Sequence, residues 1–382
     1  MAQRLKTDWI LFFTVLAMVF SGVLIVYSAS AIMAQMGPNH SPWYFVKRQA
    51  VWAVLALTLM MALKSTNYRK LRNPAVALSA ISVALFLLVA VYFADPANHR
   101  WLRLGGPVGV QPSELAKPAL VIFLAFFVTW RARAINNARH TLVPAALAVG
   151  FLIFAVVVPD LGTAVVLGLA AMAVFFVAGL QWRYCFIVAA MAFLGLVVSI
   201  FAEPYRLGRV IRFFDPSFQY VSRIDPHGWL KARSERTLRT RDTNYQLEQS
   251  QIAVGAGGVA GVGLMNGRQK LLYLPEAHTD FIYAVAGEEM GLIGAAGLLA
   301  GFLVILWRGL RASLRMRDDF GRYLALGVTV VIVVQGFINM SVVLGIMPTK
   351  GIPLPMISYG GSSLVSTLAL LGILMNVSEH AG

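Results

Sequence analysis

Ten long apolar runs divide the chain, at residues 9–31, 46–63, 74–93, 115–130, 142–158, 162–180, 184–201, 281–307, 323–347 and 356–377. A bilayer core about 30 Å thick is crossed by roughly 20 helical residues rising about 1.5 Å each. Inside lipid a backbone satisfies its own polar groups only as a helix or a closed barrel. The runs therefore predict an all-α polytopic membrane protein with about ten transmembrane helices. Composition agrees, with 58% hydrophobic and 13% charged residues, the make-up of a chain whose solvent is mostly lipid. The net charge of +15 does not indicate nucleic acid, because the basic residues sit in short clusters between apolar runs and not on one polar face. The first run follows Arg4 and Lys6 and is longer than a secretory signal core, so it reads as a signal anchor. The single cysteine, Cys185, lies in an apolar run and reads as packing.

Placing the N-terminus in the cytoplasm puts fifteen Lys and Arg in the connections of that side and six at the outer loops and helix entrances. That asymmetry predicts both termini in the cytoplasm. The connection 202–277 then lies outside as a large extracytoplasmic loop between helices 7 and 8, with eleven Lys or Arg against seven Asp or Glu. Loops this long are exempt from the charge rule, and a connection of this length is uncommon unless it works, so it is the first candidate for a binding element. Its stretch from Lys231 to Arg241 also reads as a basic insertion. The glycine run from Gly255 to Gly263 matches neither G-x-G-x-x-G nor Walker A and reads as a flexible outer loop.

Ionisable residues within or at the rim of spans are functional candidates, weighed against helix-pairing roles. Arg103 stands beside the glycine pair Gly105 and Gly106, a setting suited to phosphate. Gln111, Ser113, Glu114 and Lys117 enter the fourth span; Glu114 and Lys117 are three apart, share a helix face and read first as an ion pair. Asp160, after Pro159, reads equally as a helix cap and as a substrate or helix partner. Glu276, His278 and Asp280 close the long loop and open the eighth span, as metal ligands, acid/base groups or a helix cap. Glu288 and Glu289 lie deeper and read as partners of other helices. Residues 348–363, with Lys350, Ser358, Ser362 and Ser363 among prolines and glycines, predict non-helical backbone, which at membrane depth lines a site. No G-x-S-x-G elbow supports a serine hydrolase.

The motifs Lys47-Arg48-Gln49, Gln111 through Lys117, Pro159 through Thr163, Leu274 through Phe281 and Pro348 through Ser363 occur in the order in which the SEDS family of bacterial cell-wall polymerases carries them. The chain resembles that family over nearly its whole length, as one SEDS transmembrane domain over 1–382, and its Pro348-Thr349-Lys350-Gly351 form resembles the division branch more than the elongation branch. The resemblance implies a peptidoglycan glycosyltransferase of the bacterial inner membrane, polymerising lipid II through β-1,4 linkages at its outer face and releasing undecaprenyl pyrophosphate during septal cell-wall synthesis. It implies Asp280 as the catalytic carboxylate and Glu114 with Lys117 as an ion pair. It further implies undecaprenyl-linked glycan as substrate and, as partners, a class B penicillin-binding transpeptidase and other divisome membrane proteins.

The departing pyrophosphate is already charged, so one base suffices where glycoside hydrolysis needs a carboxylate pair. Arg48, Arg103 and Lys350 are the expected stabilisers of that charge. A divalent cation, Mg or Mn, can assist with Asp280 as ligand in place of base; no organic cofactor is expected. The competing readings are a lipid II flippase or transporter, whose path would also contain intramembrane acids and broken backbone, and a non-catalytic divisome scaffold. No internal repeat or inverted pair of broken helices stands out in favour of a transporter.

Overall fold

In the computed structural model the chain is almost entirely helical, and the structure describes residues 7–37, 40–96, 99–103, 109–215, 217–225, 228–235, 242–271 and 273–381. The helices are α1 (Trp9–Met36), α2 (Tyr44–Ser65), α3 (Pro74–Ala94), α4 (Pro112–Trp130), α5 (Val143–Val157), α6 (Leu161–Val177) and α7 (Trp182–Ala202). The long connection then holds α8 (Pro204–Phe214), α9 (Gln219–Ile224), α10 (Trp229–Glu235) and α11 (Asp242–Gly257). The chain finishes with α12 (Ile282–Arg315), α13 (Asp319–Val343) and α14 (Gly361–His380). With α5 continued backward by the helical turn Ala138–Leu142, nine of the described helices are long and apolar enough to cross a membrane, and the shorter apolar α6 makes the tenth element of the expected bundle. Before α4, β1 (Leu102–Arg103) and β2 (Gly109–Val110) pair antiparallel. Gly105 and Gly106, and much of the Lys231 to Arg241 stretch, lie outside the described residues.

Helix starts follow local chemistry. Asp8 caps α1, Asn73 caps α3 ahead of Pro74, Asp160 caps α6 and Asp318 caps α13, each carboxylate or amide oxygen accepting a first-turn N–H. The bundle is layered by lipid contact. In the most apolar stretch of α4 and of α13, 72% of residues are buried, against 11% in α7. α14 packs on α2, α4, α12 and α13 and completes the interior. Both termini meet at one end, where Asp8 Oδ2 pairs with Arg308 at 2.8 Å and accepts from Ser378 Oγ at 2.8 Å. Asp280 precedes the first half of α12, which folds back at Gly291 so that the Tyr283 hydroxyl donates to the carbonyl of Ala295 at 3.2 Å.

Two interruptions show how the interior handles broken helix. Pro118 inside α4 has no N–H for the carbonyl of Glu114, and Ser366 Oγ of α14 donates to that carbonyl at 2.7 Å. In α12 the backbone breaks at Gly291, with φ 64° and ψ −163°. The glycine segment after α11 enters the break and exchanges four hydrogen bonds with it. Leu292 and Ile293 N–H donate to the carbonyls of Gly258 and Val259, while Val262 and Gly263 N–H donate to those of Glu288 and Glu289. The glycine run is therefore a packed plug and not the flexible loop its composition suggests. It needs glycine because a Cβ on Gly261 would stand 2.2 Å from the Glu289 carbonyl oxygen.

Below the plug, Lys270 Nζ pairs with Glu289 at 2.5 Å, Ser28 Oγ donates to both Glu289 oxygens, and Glu288 accepts the N–H of Arg268 at 2.7 Å. The two glutamates thus bind the end of the long connection to the helix bundle.

Gly291 occupies a backbone region that essentially only glycine enters, so Gly291→Ala is expected to lower stability by about 1–3 kcal/mol. A thermal unfolding curve in detergent checks this against Gly297→Ala, where the added methyl meets no atom within 4 Å; equal midpoints for the two variants contradict the plug.

Candidate active site

The segment that carries Asp280 turns tightly before α12. Glu276 takes φ 56°, and its carbonyl accepts the N–H of Thr279 and of Phe281. Residues 348–360, which are not helical, cross against this turn. Tyr359 N–H donates to the carbonyl of His278 at 3.0 Å, and Ser358 Oγ donates to that of Thr279 at 2.6 Å. Gln49 of α2 holds the same segment by donating to the Ser358 carbonyl and accepting from Gly360 N–H. A Cβ on Gly351 would lie 2.7 Å from Asp280 Oδ2, so the absence of a side chain there makes room for the carboxylate.

Asp280 faces a cavity of about 810 Å³. Asp160, Lys350, Arg100, Arg206 and Arg209 also line it, and its apolar wall comes from Val165, Leu169, Leu196 and Ile200 of α6 and α7. Arg206 and Arg209 stand on α8, inside the long connection that the sequence marks as a binding element, although no residue of α8 is singled out there. Arg206 Nη2 donates to the carbonyls of Val157 and Val158 at 2.8 and 2.9 Å, groups left open where α5 ends. Arg209 donates to the carbonyl of Thr349 at 3.2 Å and to the hydroxyl of Tyr205, and its Nε is buried without a partner among the described residues.

Burial pushes the Asp280 carboxyl up to about 6, with Glu276 and Asp160 acting in the same sense and Arg100 and Arg209 against it. Burial brings the Lys350 ammonium down to about 7, Asp160 opposing while Arg206 and Arg209 reinforce. Burial likewise lowers Arg209 to about 10 despite nearby Asp280. Neither the Asp280 carboxylate nor the Lys350 ammonium has a protein hydrogen-bond partner among the described residues. Two ionisable groups, half-withdrawn from water and unpartnered, thus face one space.

The other candidates from the sequence divide into four groups. Asp160 meets both of its readings: it caps α6 through Thr163 N–H at 3.0 Å and lines the cavity. Gln111, Ser113 and Ser362 form the adjoining cluster, Gln111 Nε2 donating to Ser113 Oγ at 2.9 Å and Gln111 N–H to Ser362 Oγ at 3.3 Å, with Ser363 buried beside them. Glu114 and Lys117 are buried and paired at 2.7 Å, away from the cavity wall.

The remaining candidates point elsewhere. The His278 ring packs on Phe45 and Tyr359, and Glu276 is exposed, accepting from Thr279 Oγ. Arg103 is exposed on β1, and Arg48 donates to the Tyr44 hydroxyl at 2.7 Å. Neither arginine lines the cavity, so of the three cations expected from sequence only Lys350 does, and Arg100, Arg206 and Arg209 take the other places. Among the described residues no three His, Cys, Asp or Glu side chains converge on a metal position.

Comparison with known proteins agrees with this architecture. The probable peptidoglycan glycosyltransferase FtsW of Geobacter sulfurreducens is 38% identical over 381 residues, covering 98% of this chain and 96% of that one. A chain solved in work on the structural coordination of polymerization and crosslinking by a peptidoglycan synthase complex superposes with a TM-score of 0.73 at 30% identity, covering 99% of both chains. The Thermus thermophilus rod shape determining protein RodA superposes with a TM-score of 0.66 at 27% identity, covering 98% of this chain and 97% of that one. The FtsW/RodA/SpoVE model, described as cell cycle protein, matches residues 8–382, and the chain belongs to that family of polytopic membrane proteins.

Proposed function

We propose that this chain is a peptidoglycan glycosyltransferase that polymerises lipid II during septal wall synthesis, and that the cavity at Asp280 is its active site. The observation that carries the assignment is the Asp280 carboxylate, without a hydrogen-bond partner among the described residues, sharing one space with Lys350, Arg206, Arg209 and an apolar wall. A lipid-linked sugar pyrophosphate has matching parts: a sugar hydroxyl to deprotonate, a pyrophosphate to neutralise and a polyprenyl tail to keep from water. The basic residues clustered at the end shared by the termini support a cytoplasmic position for that end. The cavity is lined by Arg100, Pro159 and Glu203, which follow α3, α5 and α7 at the ends away from the termini, and on that reading it opens to the outer face.

The reaction is a single displacement with inversion. Asp280 takes the proton from the acceptor's 4-hydroxyl as that oxygen bonds to the anomeric carbon of the growing chain. The bond from the anomeric carbon to pyrophosphate breaks, and its electron pair leaves on the pyrophosphate oxygen, which Lys350 and Arg209 receive. A carboxyl raised to about 6 is ionised yet basic at neutral pH, which suits a general base. A divalent cation, Mg or Mn, would be held by Asp280 in place of its role as base, and would supply positive charge to neutralise the pyrophosphate. With Asp280 as the base, polymerisation is expected to survive exhaustive chelation; loss of turnover that Mg or Mn restores reassigns Asp280 as a metal ligand.

The synthase complex that the fold resembles couples polymerization to crosslinking, which supports a class B penicillin-binding transpeptidase as partner. The first test is glycan polymer formed from lipid II by purified wild type and Asp280→Asn, each coexpressed with that transpeptidase, with moenomycin present to silence contaminating polymerases. Asp280→Asn is expected to fall on the order of 10²- to 10⁴-fold while remaining folded. Equal polymer from both removes Asp280 from the chemistry. No polymer from either, with lipid II still moved across vesicles, favours the flippase.

The pH profile gives a second test. The base is active only when deprotonated, so kcat/KM rises as pH passes about 6. The Lys350 cation is lost as pH passes about 7, so kcat/KM falls above it. The expected profile is a narrow bell, and Lys350→Arg, which keeps its charge, is expected to move only the alkaline limb upward.

A further inference from the structure

Asp280 and Lys350 belong to different parts of the chain, and neither stands on a transmembrane helix. Two buried amides on one face of α13 join those parts. Gln335 and Asn339 are one helical turn apart and each 1% exposed. Asn339 Nδ2 donates to the carbonyl of Asp280 at 2.8 Å and to that of Ile352 at 2.7 Å. Both partners are acceptors, so the amide nitrogen must face them and the orientation of the side chain is fixed by chemistry. Gln335 Nε2 donates to the carbonyl of Pro353 at 2.8 Å, and its Oε1 accepts from Lys117 Nζ at 2.6 Å. Lys117 is in turn paired with Glu114.

We propose that Asn339 and Gln335 are positioning residues for Asp280, setting the carboxylate against the Lys350-Gly351 edge of the cavity. The proposal rests on the active-site reading above. With Asn339 in place, three successive carbonyls of His278, Thr279 and Asp280 are all occupied, by Tyr359 N–H, Ser358 Oγ and Asn339 Nδ2. The turn then has no freedom to slide. Asn339 also grips Ile352, one residue beyond the Gly351 against which Asp280 Oδ2 rests, so a single amide sets the separation of the two cavity edges.

Gln335 extends the same grip to Pro353 and connects it to the buried ion pair. Glu114 and Lys117, remote from the cavity wall, thereby act on the site: Glu114 orients Lys117, Lys117 orients the Gln335 amide, and Gln335 holds the strand that carries Lys350. Neither amide lines the cavity, so neither touches substrate. Leucine would lose both donors at position 339, and at position 335 both the donor to Pro353 and the acceptor for Lys117.

The test uses the full chain with its coexpressed transpeptidase and lipid II as substrate. Asn339→Leu removes both donors while keeping the branching and heavy-atom count, and Gln335→Met removes one donor and the acceptor for Lys117 while leaving the Glu114–Lys117 pair. For both variants kcat is expected to fall by about 10- to 100-fold while KM for lipid II stays within about twofold, because the reacting groups are misplaced and the binding surface is intact. In the Asp280→Asn background Asn339→Leu is expected to add no further loss, since no base remains to be placed.

Gel filtration and thermal midpoint establish that each variant is folded, and if Asn339→Leu is not, the milder Gln335→Met decides. Wild-type kcat in a folded variant, a loss carried by KM, or a full additional loss in the Asp280→Asn background overturns the positioning role. If wild type and Asp280→Asn polymerise equally, the active-site reading fails. If Asp280→Asn is inactive and Asn339→Leu is not, only the positioning role fails.

Discussion

Backbone groups that leave a helix inside an apolar bundle have no water to turn to, and each must find a partner from protein. Much of this structure follows from that constraint. The proline in α4 is answered by a serine on α14, and the break in α12 is filled by a segment of the long connection. Residues 348–360 have the largest requirement, since Pro353 and Pro355 offer no N–H and the segment makes no helix. Its carbonyls at Ile352, Pro353 and Ser358 are met by Asn339, Gln335 and Gln49. The side chains that satisfy an irregular segment are thus the ones that locate it, and the cavity inherits its shape from this accounting.

Charge is distributed by the same logic. Three buried acids away from the cavity are neutralised in place: Glu114 by Lys117, Glu289 by Lys270 and Asp8 by Arg308. The first pair lies within α4 and the other two join separate elements. At the cavity the pattern reverses, with Asp280 and Lys350 held partly out of water and, among the described residues, given no hydrogen-bond partner. A free acid and a free base facing one volume are unfavourable in the empty protein and become favourable when a charged ligand and a transferable proton arrive.

The apolar runs made the transmembrane helices legible because spanning length and hydropathy are local properties. Boundaries were less so. The run beginning at 356 becomes helical only at Gly361, since the preceding residues are held by the turn at 278–280. The first helix continues to Met36, beyond the apolar run that announced it. Asp280 was legible from its motif, and the Glu114–Lys117 contact from spacing on one helix face. Arg206 and Arg209 were not, because a basic residue in a basic connection is distinguished only by the space it enters. Arg48 and Arg103 looked as suitable as Lys350 until their positions were known. Gln335 and Asn339, neutral amides within an apolar run, carried no sign of a role, and the glycine run could not be read as a plug without the break at Gly291 that receives it.

The Ser366–Glu114 contact implies something about descent. Once a proline stands at position 118, the carbonyl one turn earlier needs a donor, and here that donor is on a helix nearly 250 positions later in the chain. Under this arrangement, replacing Pro118 restores the helical N–H and frees position 366, whereas losing Ser366 first strands the carbonyl of Glu114. The two positions form a single heritable unit with a preferred order of change, although no local feature of the sequence connects them.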